Sequence, residues 1–205
     1  MHGGNSGPKN DKTAFEAERR ALRQRLIAAR EALAPDLSTS YSTGICNQLQ
    51  QAFPALATQR VAFCWPIRNE PDLRPLMRDW LAAGDSRFMA LLPVVTAPGE
   101  ALTFRRWTPD TPLVPDRYGI PTPSEGELSF PDTLLIPVNA FDAQGYRLGY
   151  GGGFFDRTLA TLRPSPFTIG IGFELSRVAT IWPQAHDMRL DAVVTEAGVF
   201  QPPGR

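Results

Sequence analysis

Short apolar runs of strand length, set between stretches of helical length, constrain this chain more than any other feature. Such runs span 60–65, 87–92, 101–107, 133–138, 167–173 and 191–195. Segments 73–83 and 154–162 read as helices between them. Near the start, Phe15, Leu22, Leu26, Ala29 and Leu33 recur at spacings that form one apolar face at helical period, which predicts a helix over 15–33. Pro35 is expected to stop it. A second helix is expected over 38–53, with Asp36 or Ser38 as its cap. Strands alternating with helices predict a mostly parallel sheet covered on both faces, a three-layer α/β/α architecture. At 205 residues the chain suits one sizeable domain. Pro93 is expected to close the second strand. The Pro-, Gly- and Ser-rich segment 109–131 reads as an ordered loop.

Charge excludes some partners. Lys+Arg and Asp+Glu balance at 21 each, so no global field favours nucleic acid or an anionic membrane. No run approaches the roughly 20 apolar residues that span a bilayer. Residues 1–12 are polar and Gly-rich, lack the apolar core of a signal peptide, and are expected to form a disordered tail ahead of a domain over 13–205. Cys46 and Cys64 sit outside any CxxC spacing, which fits two buried thiols in a reducing, cytoplasmic compartment.

The chemistry concentrates in GYRLGYGGGFFDR, residues 145–157. It follows an apolar strand and opens a helix. Five glycines within nine residues allow close backbone approach and left-handed turns. Successive N–H groups in such a turn form an anion nest, and the helix N-terminus behind them adds partial positive charge. Arg147 and Arg157 can add charge-assisted hydrogen bonds. Asp156, in the first helical turn, is placed to reach a magnesium ion. The run is neither a Walker A loop nor a GxGxxG fingerprint.

The longer stretch IPVNAFDAQGYRLGYGGGFFDR, residues 136–157, resembles the signature of the 5-formyltetrahydrofolate cyclo-ligase family, the methenyltetrahydrofolate synthetases. The resemblance extends from Arg19 through 66–76, 92–93, 118–121, 186–187 and 191–196. It implies a Rossmann-like sheet with Mg²⁺-ATP and a reduced folate side by side at the strand ends, in a monomer. Its basic first helix is implied to bring Arg19 and Arg23 to the nucleotide phosphates. Arg19 stands where relatives carry Lys, in a chain whose only lysines are Lys9 and Lys12. Trp65, Glu70 and Arg74 are implied to hold the folate, with the Glu70 carboxylate accepting from pterin N–H groups. Leu148 and Phe155 fall to the nucleotide, along with Arg147 and Gly149. Tyr150, Gly151, Gly152, Gly153 and Phe154 are shared by both ligands. Many relatives have Tyr-Tyr where this chain has Phe154 and Phe155. Arg147, Tyr150 and Arg157 are implied as catalytic, and Asp156 with Asp191 as the metal ligands. His186 is read as structural. A related ATP-dependent enzyme with another substrate, and a non-catalytic folate- or nucleotide-binding protein, remain as alternatives.

Overall fold

Burial alternates along the central strands, and that alternation builds two cores. The computed structural model describes residues 9–203, with side chains from 15 to 203. Strand β1 (Arg60–Ala62) sends Val61 to one face and Ala62 to the other. In β2 (Met89–Val94), Ala90 and Leu92 oppose Leu91; in β6 (Thr133–Pro137), Leu135 opposes Leu134 and Ile136. A strand buried on both faces must be apolar throughout, which is why these runs are continuous.

With β3 (Thr103–Arg106), β9 (Phe167–Ile171), β10 (Ala192–Thr195) and β11 (Gly198–Phe200), these strands form a seven-stranded sheet ordered β11-β10-β9-β6-β1-β2-β3. The five inner strands are parallel; β3 and β11 pair antiparallel at the two edges. Helices α2 (Pro35–Ala52) and α3 (Arg74–Ala82) cover one face through Ile45, Leu49, Leu76, Met77 and Trp80. Helix α4 (Phe154–Thr161) covers the other through Leu159. The expected three-layer α/β/α order is therefore present. Helix α1 (Lys9–Glu31) sits at one end, where Leu22 and Leu26 pack on Ala140, Leu148 and Ile181. Ala140 and Leu148 belong to a small hairpin of β7 (Ala140–Phe141) and β8 (Arg147–Leu148).

Several boundaries differ from expectation. Helix α1 ends at Glu31, short of Pro35; the proline occupies the first turn of α2, where its missing N–H is harmless, and the preceding Ala34 is the extended N-cap (φ −59°, ψ 142°), with no side-chain cap from Asp36 or Ser38. Pro93 lies inside β2, beyond Leu91, the last residue paired with β1, so its absent N–H breaks no β1 bond. Segment 109–131 contains a hairpin, β4 (Leu113–Pro115) with β5 (Pro121–Pro123), tied to the sheet by the Thr122 hydroxyl donating to the Pro93 carbonyl at 3.1 Å. Of the expected tail, residues 1–8 lie outside the described residues, and α1 is described from Lys9.

Candidate active site

The chain leaves β1 toward β2 on one side, while β6 lies on the other. The order of strands reverses between β1 and β6, and a crevice opens beyond their carboxyl ends. It widens into a cavity of about 780 Å³, in the upper part of the usual range of roughly 300–1,000 Å³ for ligand sites. Its walls are the segment after β1, the carboxyl ends of β2 and β6, the glycine loop, α1, the β4–β5 hairpin and segment 184–187.

The segment after β1 delivers Trp65 and Glu70. Arg68 and Asn69 take left-handed backbone conformations, φ 50° and 59°, and turn the chain back on itself. The Asn69 amide holds that turn by donating to the Arg30 carbonyl at 2.8 Å. Glu70 thus ends inside the protein, 6% exposed. It accepts from the Tyr150 hydroxyl at 2.8 Å and from the Ile67 N–H at 3.1 Å. Burial pushes its carboxyl above the usual range, opposed chiefly by the nearby Arg30 charge.

The glycine loop runs from β8 into α4. Gly151 (φ 95°) faces the Arg23 guanidinium, and Gly153 (φ 64°) is the left-handed N-cap of α4. A Cβ on Gly153 would stand 2.7 Å from Arg157 Nη1. With no side-chain cap, the first-turn N–H groups of α4 have no intrahelical acceptor. Facing this loop, α1 contributes Arg19, Arg20 and Arg23 to the cavity wall. Arg23 donates to the Gly149 carbonyl at 2.7 Å. Its guanidinium pKa is lowered by burial and then by the Arg19 and Arg20 charges. Three crowded cations beside unfilled amides form a place for a polyanion. Arg19 is held by Asp187 at 2.7 Å and by the Trp182 carbonyl at 2.9 Å.

Among the residues singled out in the sequence, Arg19, Arg23, Trp65, Glu70, Arg147, Gly149 and Tyr150 line this cavity, as do Gly151 through Asp156. Four others do not. Leu148 is buried against α1. Arg157 bonds the Gly152 carbonyl at 2.7 Å and stacks over Phe154, so it shapes the loop from behind. Arg74 is taken by its neighbour Asp72 at 2.7 Å and lies over Trp65, lining a separate cleft of about 410 Å³. Asp191 sits at the amino ends of β9 and β10, away from the glycine loop, accepting from Thr168 N–H and hydroxyl at 2.8 and 2.7 Å. Asp156 and Asp191 are therefore not brought together. Asp156 instead accepts from Arg147 Nη2 at 2.9 Å and Met188 N–H at 3.1 Å, both at Oδ1. Among the described residues no cluster of three metal-ligating side chains exists. His186 lies at the cavity rim with its side chain 72% exposed, so it is not a buried structural histidine.

Sequence reasoning gave no site role to Arg30, Arg20 or Tyr118, although 118–121 carries part of the resemblance. Arg30 is 2% exposed and sits behind the cavity wall. Its signal was present: it follows Arg19 by three helical turns on the same face of α1. Tyr118 reaches the cavity from the hairpin and meets Phe154 edge-on at 6.0 Å.

A basic, glycine-lined cavity at the reversal point of a parallel sheet, with a buried carboxylate in its wall, defines an α/β enzyme for small anionic ligands. The model of the 5-formyltetrahydrofolate cyclo-ligase family matches residues 15–196, and the chain belongs to that family. It is 30% identical over 188 residues to a 5-formyltetrahydrofolate cyclo-ligase of Escherichia coli (strain K12), covering 88% of this chain and 99% of that protein. A Haemophilus influenzae protein of the same name is 27% identical, with 86% and 92% covered. The solved structure of Aquifex aeolicus 5,10-methenyltetrahydrofolate synthetase superimposes with a TM-score of 0.78 at 28% identity, covering 91% of this chain and 94% of that one.

Proposed function

We propose that this enzyme cyclises 5-formyltetrahydrofolate to 5,10-methenyltetrahydrofolate with ATP, releasing ADP and phosphate. The observation that carries this reading is family membership across residues 15–196, joined to a cavity with a polyanion end and a carboxylate end. The formyl oxygen is a poor leaving group. It attacks the γ-phosphorus and becomes a phosphate ester; N10 then attacks the activated carbon. Phosphate departs with the formyl oxygen, the N10 proton is released, and the ring closes. No covalent nucleophile is needed, so the protein acts by positioning and charge stabilisation.

Arg19, Arg20, Arg23 and the amides around Gly152 and Gly153 would hold the triphosphate. Trp65 would stack on the pterin, whose N–H groups would donate to Glu70. Arg147 and Arg157 would act differently from each other. Arg147 reaches the cavity and holds Asp156, whereas Arg157 fixes the loop's shape. A dedicated metal cage has no support in the donor set. Asp156 has Oδ2 outside its two hydrogen bonds, which fits a magnesium ion carried mainly by nucleotide phosphates and held by one carboxylate oxygen. Such an ion would neutralise phosphate charge. Asp191, at the other end of the strands, is not in reach of that ion. A reducing, cytoplasmic setting and a monomeric state complete the reading. Cys46 and Cys64 are both free, and no helix among the described residues is long and apolar enough to cross a membrane.

The test is near-ultraviolet absorbance of the conjugated methenyl product. Mixing protein with 5-formyltetrahydrofolate, Mg²⁺ and ATP should raise it, with one ADP per product; a folded protein that gives no ATP-dependent rise would refute the reading.

A further inference from the structure

Arg30 touches neither ligand region directly, since it stands behind the cavity wall, yet it meets every segment that forms the carboxylate end. Nε donates to the Arg68 carbonyl at 3.0 Å, in the left-handed turn that delivers Glu70. Nη1 donates to Asn139 Oδ1 at 2.8 Å, in the segment after β6. Nη2 donates to the Tyr150 hydroxyl at 2.8 Å, in the glycine loop, and lies 3.8 Å from Glu70 Oε1.

A guanidinium has donors only. The Tyr150 oxygen must therefore accept from Arg30, and its own proton is directed to Glu70 Oε1. Glu70 then accepts at Oε1 from Tyr150 and at Oε2 from the Ile67 N–H. Both oxygens are used as acceptors and neither has an acceptor to donate to, an arrangement that accommodates an ionised carboxylate. The charged or titratable groups facing Glu70 are Arg30 from α1, Tyr150 from the loop, Arg68 from its own turn and the Cys64 thiol after β1. Arg30 is the buried cation of that set; Arg68 is drawn outward to Glu31 at 2.6 Å. Each of the three guanidinium nitrogens of Arg30 ends on a segment that shapes the carboxylate end, and without it the Glu70 carboxylate would stay buried with no cation beside it. The placement of Arg30 therefore answers to the site.

We propose that Arg30 is a positioning residue that keeps Glu70 ionised, and Tyr150 polarised toward it, for the reduced folate. The proposal rests on the reading that Glu70 receives pterin N–H groups.

The test is steady-state kinetics of Arg30→Met and Arg30→Lys across pH, with the Glu70 carboxyl followed in the free protein by isotope-edited NMR. Arg30→Met should raise KM for 5-formyltetrahydrofolate roughly tenfold to hundredfold, with KM for ATP within about threefold on the same scale. Removing the cation raises the Glu70 pKa, so the acid limb of kcat/KM should move to higher pH and the defect should shrink as pH rises. Arg30→Lys keeps the charge and loses the fork, so its acid limb should stay near wild type while KM is intermediate. If Arg30→Met fails to fold, Arg30→Lys and the NMR titration of wild type carry the test. Equal changes in both KM values with an unmoved acid limb, or a Glu70 resonance that does not shift in a folded variant, would overturn the role given to Arg30. A wild-type protein inert toward 5-formyltetrahydrofolate whose Glu70 resonance still shifts in Arg30→Met would defeat the cyclo-ligase reading and leave the Arg30 clamp standing.

Discussion

Tyr150 is where the two ends of the cavity meet. Its hydroxyl sits between Arg30 and Glu70, each at 2.8 Å. Tyr150→Phe removes one oxygen and leaves a buried donor and a buried acceptor unmatched, a cost of about 1–3 kcal/mol. kcat/KM for the folate should fall roughly tenfold to hundredfold on the same scale, which steady-state kinetics would measure. The cysteines supply a second prediction. Burial, reinforced by Asp72, pushes the Cys46 thiol up to about 11; burial and the Glu70 charge push the Cys64 thiol up as well. A raised thiol pKa means little thiolate, so alkylation of the native protein near neutral pH should lag far behind a free thiol. Cys64 lines the cavity, so saturating folate should slow its labelling further, read by mass spectrometry. At this scale the sequence was informative where chemistry is spelled in a run. GYGGG and Glu70, both singled out in the sequence, line the cavity. It failed where local partners captured a side chain: Arg74 is held by Asp72, two residues away, and Asp191 by Thr168. It failed again at Arg30, whose place on the Arg19 face of α1 is readable from the spacing but whose burial is not until α1 is docked.

The glycine loop and its helix act as one element. Gly153 must adopt φ 64° and meets Arg157 Nη1 where a side chain would start. Gly153→Ala should cost about 1–2 kcal/mol from the left-handed backbone alone. Because the strain falls on the ligand loop, it should weaken ATP binding more than it lowers the melting temperature; calorimetric titration and thermal denaturation separate the two. Asp191 belongs to a different element pair. Asp191→Asn disturbs the start of β9 and β10 and should lower the melting temperature by about 2–4 °C per kcal/mol lost in a chain of this size. The magnesium dependence of the rate should be unchanged. Elements with a strong period, α1, α2 and the inner strands, were legible because burial on one face or both dictates their composition. The β4–β5 and β7–β8 hairpins were not. Their strands are two or three residues long, and two of them begin or end in proline, so no period can build up.

At the scale of the whole molecule, the site exists because distant parts of the chain converge on one reversal point in the sheet. Helix α1 brings the cations, the segment after β1 brings Trp65 and Glu70, the loop between β8 and α4 brings the glycines and Tyr150, and the hairpin of segment 109–131 closes the side with Tyr118. A nucleotide bridging α1 and the glycine loop should stabilise the fold by about 2.7 kcal/mol at a hundredfold excess over Kd. Arg19→Ala with Arg23→Ala should remove most of that thermal shift. The most direct test of the account is the fate of the formyl oxygen. With a heavy-oxygen label in the 5-formyl group, a single turnover with ATP should place the label in inorganic phosphate, detected by mass spectrometry. Label recovered in water, with none in phosphate, would contradict activation of that oxygen on the γ-phosphorus.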